Sequence, residues 1–219
     1  MAVILILLGL YVSLPILAPL LLQRGNQTAA KVIYLLYSPL CHQLPYRSFF
    51  IGGLQPFYPR ELAGVEGYAT FEQIFVADPQ SLGDVRKITG AESIGDGHGH
   101  VGYKLALCER DIAIYSALFI FGVIFVLAKR RIKGLPWYLW ALFGLVPIAI
   151  DGFSQLPSLI PMLRNIEIHR ESTPFLRVFT GTLFGTATAW YLYPMIEESM
   201  RETKKSIGSR LEQIKLRSR

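Results

Sequence analysis

The stretch at residues 112–156 reads IAIYSALFIFGVIFVLA (112–128), KRRIKGLP (129–136) and WYLWALFGLVPIAIDGFSQL (137–156). Both apolar runs approach the roughly 20 residues that a helix needs to cross a hydrocarbon core of about 30 Å. The connection between them carries four basic residues and no acid, and Lys and Arg in short loops resist translocation. The stretch therefore predicts two transmembrane helices joined by a cytoplasmic loop.

Two further apolar runs, at residues 2–23 and 178–196, extend this pattern. Of the 219 residues, 52% are hydrophobic and only 17% are charged, which favours a membrane protein over a soluble one. Aromatic residues typical of interfacial belts lie at the run ends: Trp137, Tyr138, Trp140, Trp190, Tyr191 and Tyr193. We expect an all-α membrane protein of about four transmembrane helices, with an extracytoplasmic insertion between the first two.

The first run could also be read as a cleaved signal peptide. It lacks a basic region before the apolar run, the run is too long, and Pro15 and Pro19 interrupt it. A retained helix is the favoured interpretation.

The basic residues also predict the orientation of the chain. The tail at residues 197–219 holds seven Lys and Arg residues and should be cytoplasmic, like the 129–136 loop. An even number of spans then places the N-terminus in the cytoplasm and residues 24–111 and 157–174 outside. The net charge of +6 is thus explained by topology, since no nucleic-acid motif accompanies it.

Five regions follow from this pattern. They are a first transmembrane helix (1–23), an outer re-entrant or interfacial segment (24–51), an extracytoplasmic insertion (52–104), a three-helix transmembrane core (105–196) and a basic cytoplasmic tail (197–219). The insertion has seven acids against four basic residues and no evident core of its own. The tail places Ile207, Leu211 and Ile214 at helical spacing, which fits an amphipathic helix on anionic lipid or a solvated helix end equally well.

On this topology every Cys and His lies on the outer side. Cysteine and histidine are ligands that zinc and copper favour, and a carboxylate can complete such a site. Cys108 and Asp111, at i and i+3, share a helix face, and adjacent Cys41 and His42 supply a second pair. The expected metal ligands are Cys41, His42, Cys108 and Asp111.

A disulfide between Cys41 and Cys108 is the main alternative, because an oxidising outer compartment would favour it. Free thiols are a third possibility, and no standard zinc spacing is matched. His98 and His100 lie in a Gly-rich stretch that reads as an exposed loop rather than as a ligand pair.

Asp151 is an acid inside an apolar run, where a charge is costly and marks a functional site by default. Gln155 follows on the same helix face, and Arg177 or Arg110 has a suitable depth to pair with the carboxylate. A structural ion pair is the alternative. The inner halves of the runs are almost wholly apolar, which disfavours a channel or a transporter. Gly181 and Gly185 allow close helix approach, expected within the molecule rather than in a dimer.

Four motifs occur together in this order: CHQLPYRSFF (41–50), CERDIAIY (108–115), DGFSQ (151–155) and RESTPFLRVFTG (170–181) followed by LFG (183–185). As a set they resemble the DUF2085 family of predicted prokaryotic membrane proteins, which implies a prokaryotic cell membrane but no established activity. In many relatives the second motif looks like Cys-x-Arg-Cys, so Asp111 stands where a third cysteine would. That set looks more like a metal site, and residues 54–100 look like an insertion relative to compact relatives.

These observations predict an outward-facing polar site that holds a metal ion, with zinc the expected one. As an enzyme, such a site would use Asp151 or Glu171 as acid or base. Arginines and an amide would hold an anionic group such as a lipid phosphate: Arg47, Arg110, Gln155, Arg170 and Arg177. The alternative function is a structural or accessory subunit of a membrane complex, held together by the Cys41–Cys108 bond and an Asp151–Arg177 pair. A transporter is the third reading.

Overall fold

The computed structural model describes residues 1–75, 101–155 and 170–217. Its helices are α1 (Ala2–Gln23), α2 (Gln27–Tyr37), α3 (Phe71–Phe75), α4 (Glu109–Leu127), α5 (Trp137–Phe153) and α6 (Pro174–Arg217). Two short strands, β1 (Phe50–Ile51) and β2 (Tyr103–Lys104), pair antiparallel. Single 3₁₀ turns occur at Pro45–Arg47 and Glu61–Ala63. The expectation of a mostly helical protein is confirmed.

Two helices have the length and composition to cross a membrane. They are α1, with 22 residues and a mean hydropathy of 2.5, and α4, with 19 residues and 2.0. Only 17% and 22% of their apolar windows are buried, unlike the core helix of a soluble protein. Helix α5 has 17 residues, about 26 Å at 1.5 Å per residue. Two of the four expected spans are thus supported as candidates, and the other two stay predictions.

Helix α5 is irregular in its middle. Residues Ala141–Leu145 form a π-helical turn between two α-helical parts, just before Pro147. Proline has no N–H to bond the carbonyl four residues earlier, and its ring clashes there. The wider turn removes this conflict while the helix continues to Asp151.

Helices α4 and α6 pack closely along each other through small residues. A Cβ atom at Gly185 would lie 2.4 Å from the carbonyl oxygen of Ile114, and one at Gly181 would lie 2.8 Å from that of Arg110. Any larger side chain would therefore push the helices apart. The expectation that this glycine pair serves internal packing is confirmed.

Helix α2 packs beside the C-terminal half of α1 and brings the first cysteine to the core. The cluster that joins them contains Ala18, Ala30, Ile33, Tyr34, Tyr37, Cys41, Ala106 and Leu107. The Tyr37 hydroxyl donates to the carbonyl of Tyr11 at 2.7 Å. The other face of α2 exposes Val32, Leu35 and Leu36, as an interfacial segment would.

The described part of the insertion packs against residues 44–50. A second cluster contains Leu44, Tyr46, Phe50, Tyr58, Phe71, Ile74 and Val101. The sequence predicted no evident core here because these residues are scattered between positions 44 and 101. The insertion shares a core with the neighbouring segment rather than forming its own.

The loop after α4 has a strained backbone. Lys129 and Arg130 have φ angles of 55° and 57°, a left-handed conformation that costs a non-glycine residue about 1–2 kcal/mol. Their N–H groups donate to Val126 and Phe125 carbonyls, each at 2.9 Å, and the Trp190 indole donates to the carbonyl of Lys133 at 2.9 Å. The first two bonds hold the loop on the end of α4, and the third ties it to α6.

Candidate metal centre and its arginine network

Three of the four predicted metal ligands converge. One ligand atom each from Cys41, Cys108 and Asp111 lies within 4.8 Å of the others. Cys108 immediately precedes α4 and Asp111 lies in the first turn of that helix, whereas Cys41 follows the end of α2. Zinc bonds of about 2.3 Å to sulfur and 2.0–2.2 Å to oxygen place tetrahedral ligand atoms roughly 3.4–3.8 Å apart. If the widest separation between these ligand atoms shortened by about 1 Å, the three ligands would fit a zinc ion.

His42 does not join this group. Its neighbours Cys41 and Gln43 are buried, whereas His42 is exposed. The place of His42 in the ligand set stays a prediction, because its exposed side chain still lines the cavity that opens beside the three ligands. His98, His100 and His169 lie outside the described residues.

A cavity of about 470 Å³ opens beside the three ligands. Its walls also include His42, Gln43, Tyr46 and Arg47. Through this cavity a small molecule from the surroundings of the protein can reach the thiols and the carboxylate.

The two cysteines are free thiols that are hydrogen-bonded to each other. A hydrogen bond from the Cys108 thiol lowers the pKa of Cys41, while the same bond, followed by burial, raises the pKa of Cys108. The backbone N–H of Gln43 adds a 3.4 Å contact to the Cys41 sulfur. Cys41 is thus the thiol of the pair that ionises more readily, and the disulfide alternative is not favoured.

A buried lysine lies close to Cys41. Lys104 on β2 is fully buried, and its Nζ donates to the carbonyl of Gln43 at 2.5 Å, while its own carbonyl accepts from Tyr34. Burial lowers the pKa of Lys104 to about 7, and the charge of Cys41 opposes this shift. The sequence analysis did not single out Lys104, because this lysine was counted only among the charges of the insertion.

Asp151 pairs with Arg110 on the first turn of α4. Ser172 donates to the same carboxylate at 2.9 Å, and Arg170 lies 3.9 Å from its other oxygen. Arg110 was one of the two predicted partners. The other prediction, Arg177, is wrong in this structure because that side chain is turned toward Glu109.

Arg177 is the most buried arginine of the network, with 3% exposed. It donates to Glu109 at 3.2 Å, to Glu171 at 3.0 Å and to the carbonyl of Tyr46 at 3.0 Å. Glu109 is fully buried and was not singled out from the sequence. The signal that could have identified Glu109 is its position next to Arg110 in the CERDIAIY motif (108–115).

Arg47 connects the cavity to this network. Its Nε and Nη2 both lie 3.0 Å from Glu171, and Nη2 also contacts Gln155 at 3.4 Å. Arg60 of the insertion pairs with Glu72 at 2.8 Å and joins the network through Glu171 at 3.8 Å. All the predicted anion-holding residues therefore belong to one network, together with Glu109, Arg60 and Ser172, which the sequence did not indicate.

Ion pairs of the network join five separate segments of the chain. Within the part of the chain that the structure describes, Glu109 Oε1, Arg110 Nε and Asp151 Oδ1 are buried without a hydrogen bond. Removing one partner of such a pair leaves an uncompensated buried charge, which costs about 3–5 kcal/mol. The arrangement fixes the N-terminal ends of α4 and α6 and the C-terminal end of α5 around the metal-ligand group.

Comparisons with known proteins agree with the motifs. The DUF2085 family model, described as "Predicted membrane protein", matches residues 100–191. An uncharacterized protein of Methanocaldococcus jannaschii is 26% identical over 170 residues, which cover 76% of this chain and 69% of that protein. No solved structure matches the chain. The resemblance that the motifs indicated is thus confirmed: over residues 100–191 this chain matches DUF2085, a family of predicted membrane proteins.

Proposed function

We propose that this membrane protein binds a transition-metal ion, with zinc first among the candidates, through Cys41, Cys108 and Asp111. The observation that carries the proposal is the convergence of two thiols and a carboxylate within 4.8 Å beside an open cavity. Zinc accepts both sulfur and carboxylate ligands.

The charge around the three ligands supports this assignment. Two thiolates and a carboxylate exceed the charge of a divalent ion by one, and the buried Lys104 lies on the same side. Three protein ligands leave one coordination position, as in catalytic zinc sites. A bound metal ion would supply Lewis acidity to a molecule in the cavity.

The residues around the cavity favour an anionic ligand such as a lipid phosphate. Arg47 lines the cavity, and among the described residues its Nη1 group has no hydrogen-bond partner. Arginine matches phosphate and carboxylate geometry. Asp151 and Glu171 are each held by arginines, which favours a positioning role for both over acid–base chemistry.

The proposed setting is a four-span protein with both termini in the cytoplasm and the cavity outside. Helix α5 and the first half of α6 would be the third and fourth spans. Large exposed apolar residues support a lipid-facing side of α5: Leu142, Phe143, Val146, Ile150 and Phe153. A bilayer is the one partner that the family description supports, whereas co-purifying subunits would favour the accessory-protein alternative.

Metal content by plasma mass spectrometry, run beside thiol counting under denaturing, non-reducing conditions, tests the proposal. Detergent-purified protein supplied with zinc should hold about one ion per chain and expose both thiols. Cys108→Ser should lose the ion, and Asp111→Asn should release it faster to a chelator, whereas exposed Glu66→Gln should match the unmodified protein. Neither metal nor free thiol in the unmodified protein would mean a disulfide-linked scaffold and would overturn the proposal.

A further inference from the structure

A second cavity, of about 580 Å³, lies at the opposite end of the α4–α6 pair. It is formed by the loop after α4 and by the part of α6 that follows Pro194. Its basic lining residues are Arg130, Arg131, Lys133, Arg201 and Lys205. None of them belongs to the metal-ligand group or to the arginine network.

Positive charge exceeds negative charge in this cavity. Five basic residues face three acids, Glu197, Glu198 and Glu202, an excess of two positive charges. Glu197 is shared by Arg130 at 3.3 Å and Arg201 at 3.1 Å. Across the described residues, the side chains of Arg131, Lys133 and Lys205 make no ion pair or hydrogen bond, and they remain available to an anion.

The loop that supplies three of the five basic residues is fixed in place. Lys129 and Arg130 keep positive φ angles, and Trp190 holds the carbonyl of Lys133 at 2.9 Å. Strained backbone held by its surroundings recurs at ligand clamps. The loop backbone is therefore already ordered before a ligand binds.

We propose that this cavity binds a phosphate group, and that the group belongs to the headgroup of an anionic phospholipid. Arginine and lysine together are typical phosphate-binding residues. The loop follows the last residue of α4, and Trp137 and Trp190 flank it, so the cavity lies at headgroup level if α4 spans the membrane. This inference does not depend on the metal site.

The test titrates detergent-purified protein with phosphatidylglycerol, with phosphatidylcholine as the uncharged reference, and counts retained lipid by native mass spectrometry. Inorganic phosphate, followed by calorimetry, is the soluble arm. Arg131→Gln combined with Lys133→Gln should weaken phosphatidylglycerol binding about 30-fold, since each basic side chain near anionic lipid contributes roughly fivefold. Lys204→Gln combined with Arg210→Gln removes equal charge from α6 outside the cavity and should leave binding nearly unchanged.

Each outcome decides the proposal. Phosphatidylglycerol binding that depends on Arg131 and Lys133 supports the site and its lipid source. Inorganic phosphate binding with the same dependence, without lipid binding, supports the phosphate site and replaces the lipid by a soluble phosphate compound. Equal weakening by both double variants, or no binding of either ligand, overturns it. Lys205→Gln, on the α6 side of the cavity, should reproduce part of the loss if the loop variant folds poorly.

Discussion

The two ends of the α4–α6 pair are both rich in charge, but the charges are buried at one end and exposed at the other. At the end where α4 and α6 begin, Glu109, Glu171 and Arg177 are 0%, 6% and 3% exposed. At the opposite end the side chains of Arg130 and Arg201 are 42% and 61% exposed, although they also form ion pairs. Buried charges bind their segments strongly because water cannot replace a lost partner, whereas exposed pairs contribute little.

The largest effect should come from Arg177→Met. It leaves Glu109 buried without its partner and removes one partner of Glu171, so the free energy of unfolding should fall by about 3–5 kcal/mol. Arg201→Met, in an exposed pair with Glu197, should cost less than about 1 kcal/mol. Unfolding in mixed detergent measures both, and similar losses would contradict the contrast between the two ends.

Gly185→Ala should have the next largest effect, because the new Cβ would lie 2.4 Å from the carbonyl oxygen of Ile114. Overpacking of this kind costs roughly 1–3 kcal/mol. Gly208→Ala is a matched control on the same helix, since no atom lies within 4 Å of its added Cβ. The control should gain stability from helix propensity, by up to about 1 kcal/mol. A neutral Gly185→Ala variant would mean that α4 and α6 separate at no cost.

The buried Lys104 should make stability depend on pH. Its pKa is about 7 in the folded protein, against an ordinary value of 10.5, so the unfolded chain binds more protons between these values. The free energy of unfolding should therefore rise with pH above about 7, by up to roughly 2 kcal/mol by pH 9. Melting temperatures of the metal-free protein at both pH values should show this rise.

Lys104→Met provides the control for that dependence. The variant should lose most of the rise, because methionine has no proton to release. An unchanged rise in Lys104→Met would assign the dependence to another group.

The smallest effect should come from Lys129→Gly in the loop after α4. Glycine adopts the φ angle of 55° without steric cost, so stability should increase by up to about 1 kcal/mol. Lys129→Ala should bring no gain, since alanine keeps the same steric conflict. Thermal melting compares the two, and an equal gain would show that charge removal, rather than backbone strain, is responsible.

Much of the site was predictable from residue types. Cys41, Cys108 and Asp111 were expected together because each is a good metal ligand and the topology places them on one side. The exposure of His42 between buried Cys41 and Gln43 was not predictable, since it depends on how the chain turns after α2. The sequence narrowed the partner of Asp151 to Arg110 or Arg177. The depth of a residue along its own helix does not decide between two side chains that lie on different helices.

The sequence by itself determined that the chain is helical, that it belongs in a membrane, and that its polar motifs form a set typical of DUF2085. These properties depend on composition and on the spacing of residues close together in the chain, and both can be read directly from the sequence. Only the tertiary structure decided that Arg110 rather than Arg177 pairs with Asp151, that Glu109 and Lys104 are buried beside the site, and that the insertion shares a core with residues 44–50. Those outcomes depend on contacts between residues far apart in the chain, where packing and the cost of burying an unpaired charge select one arrangement.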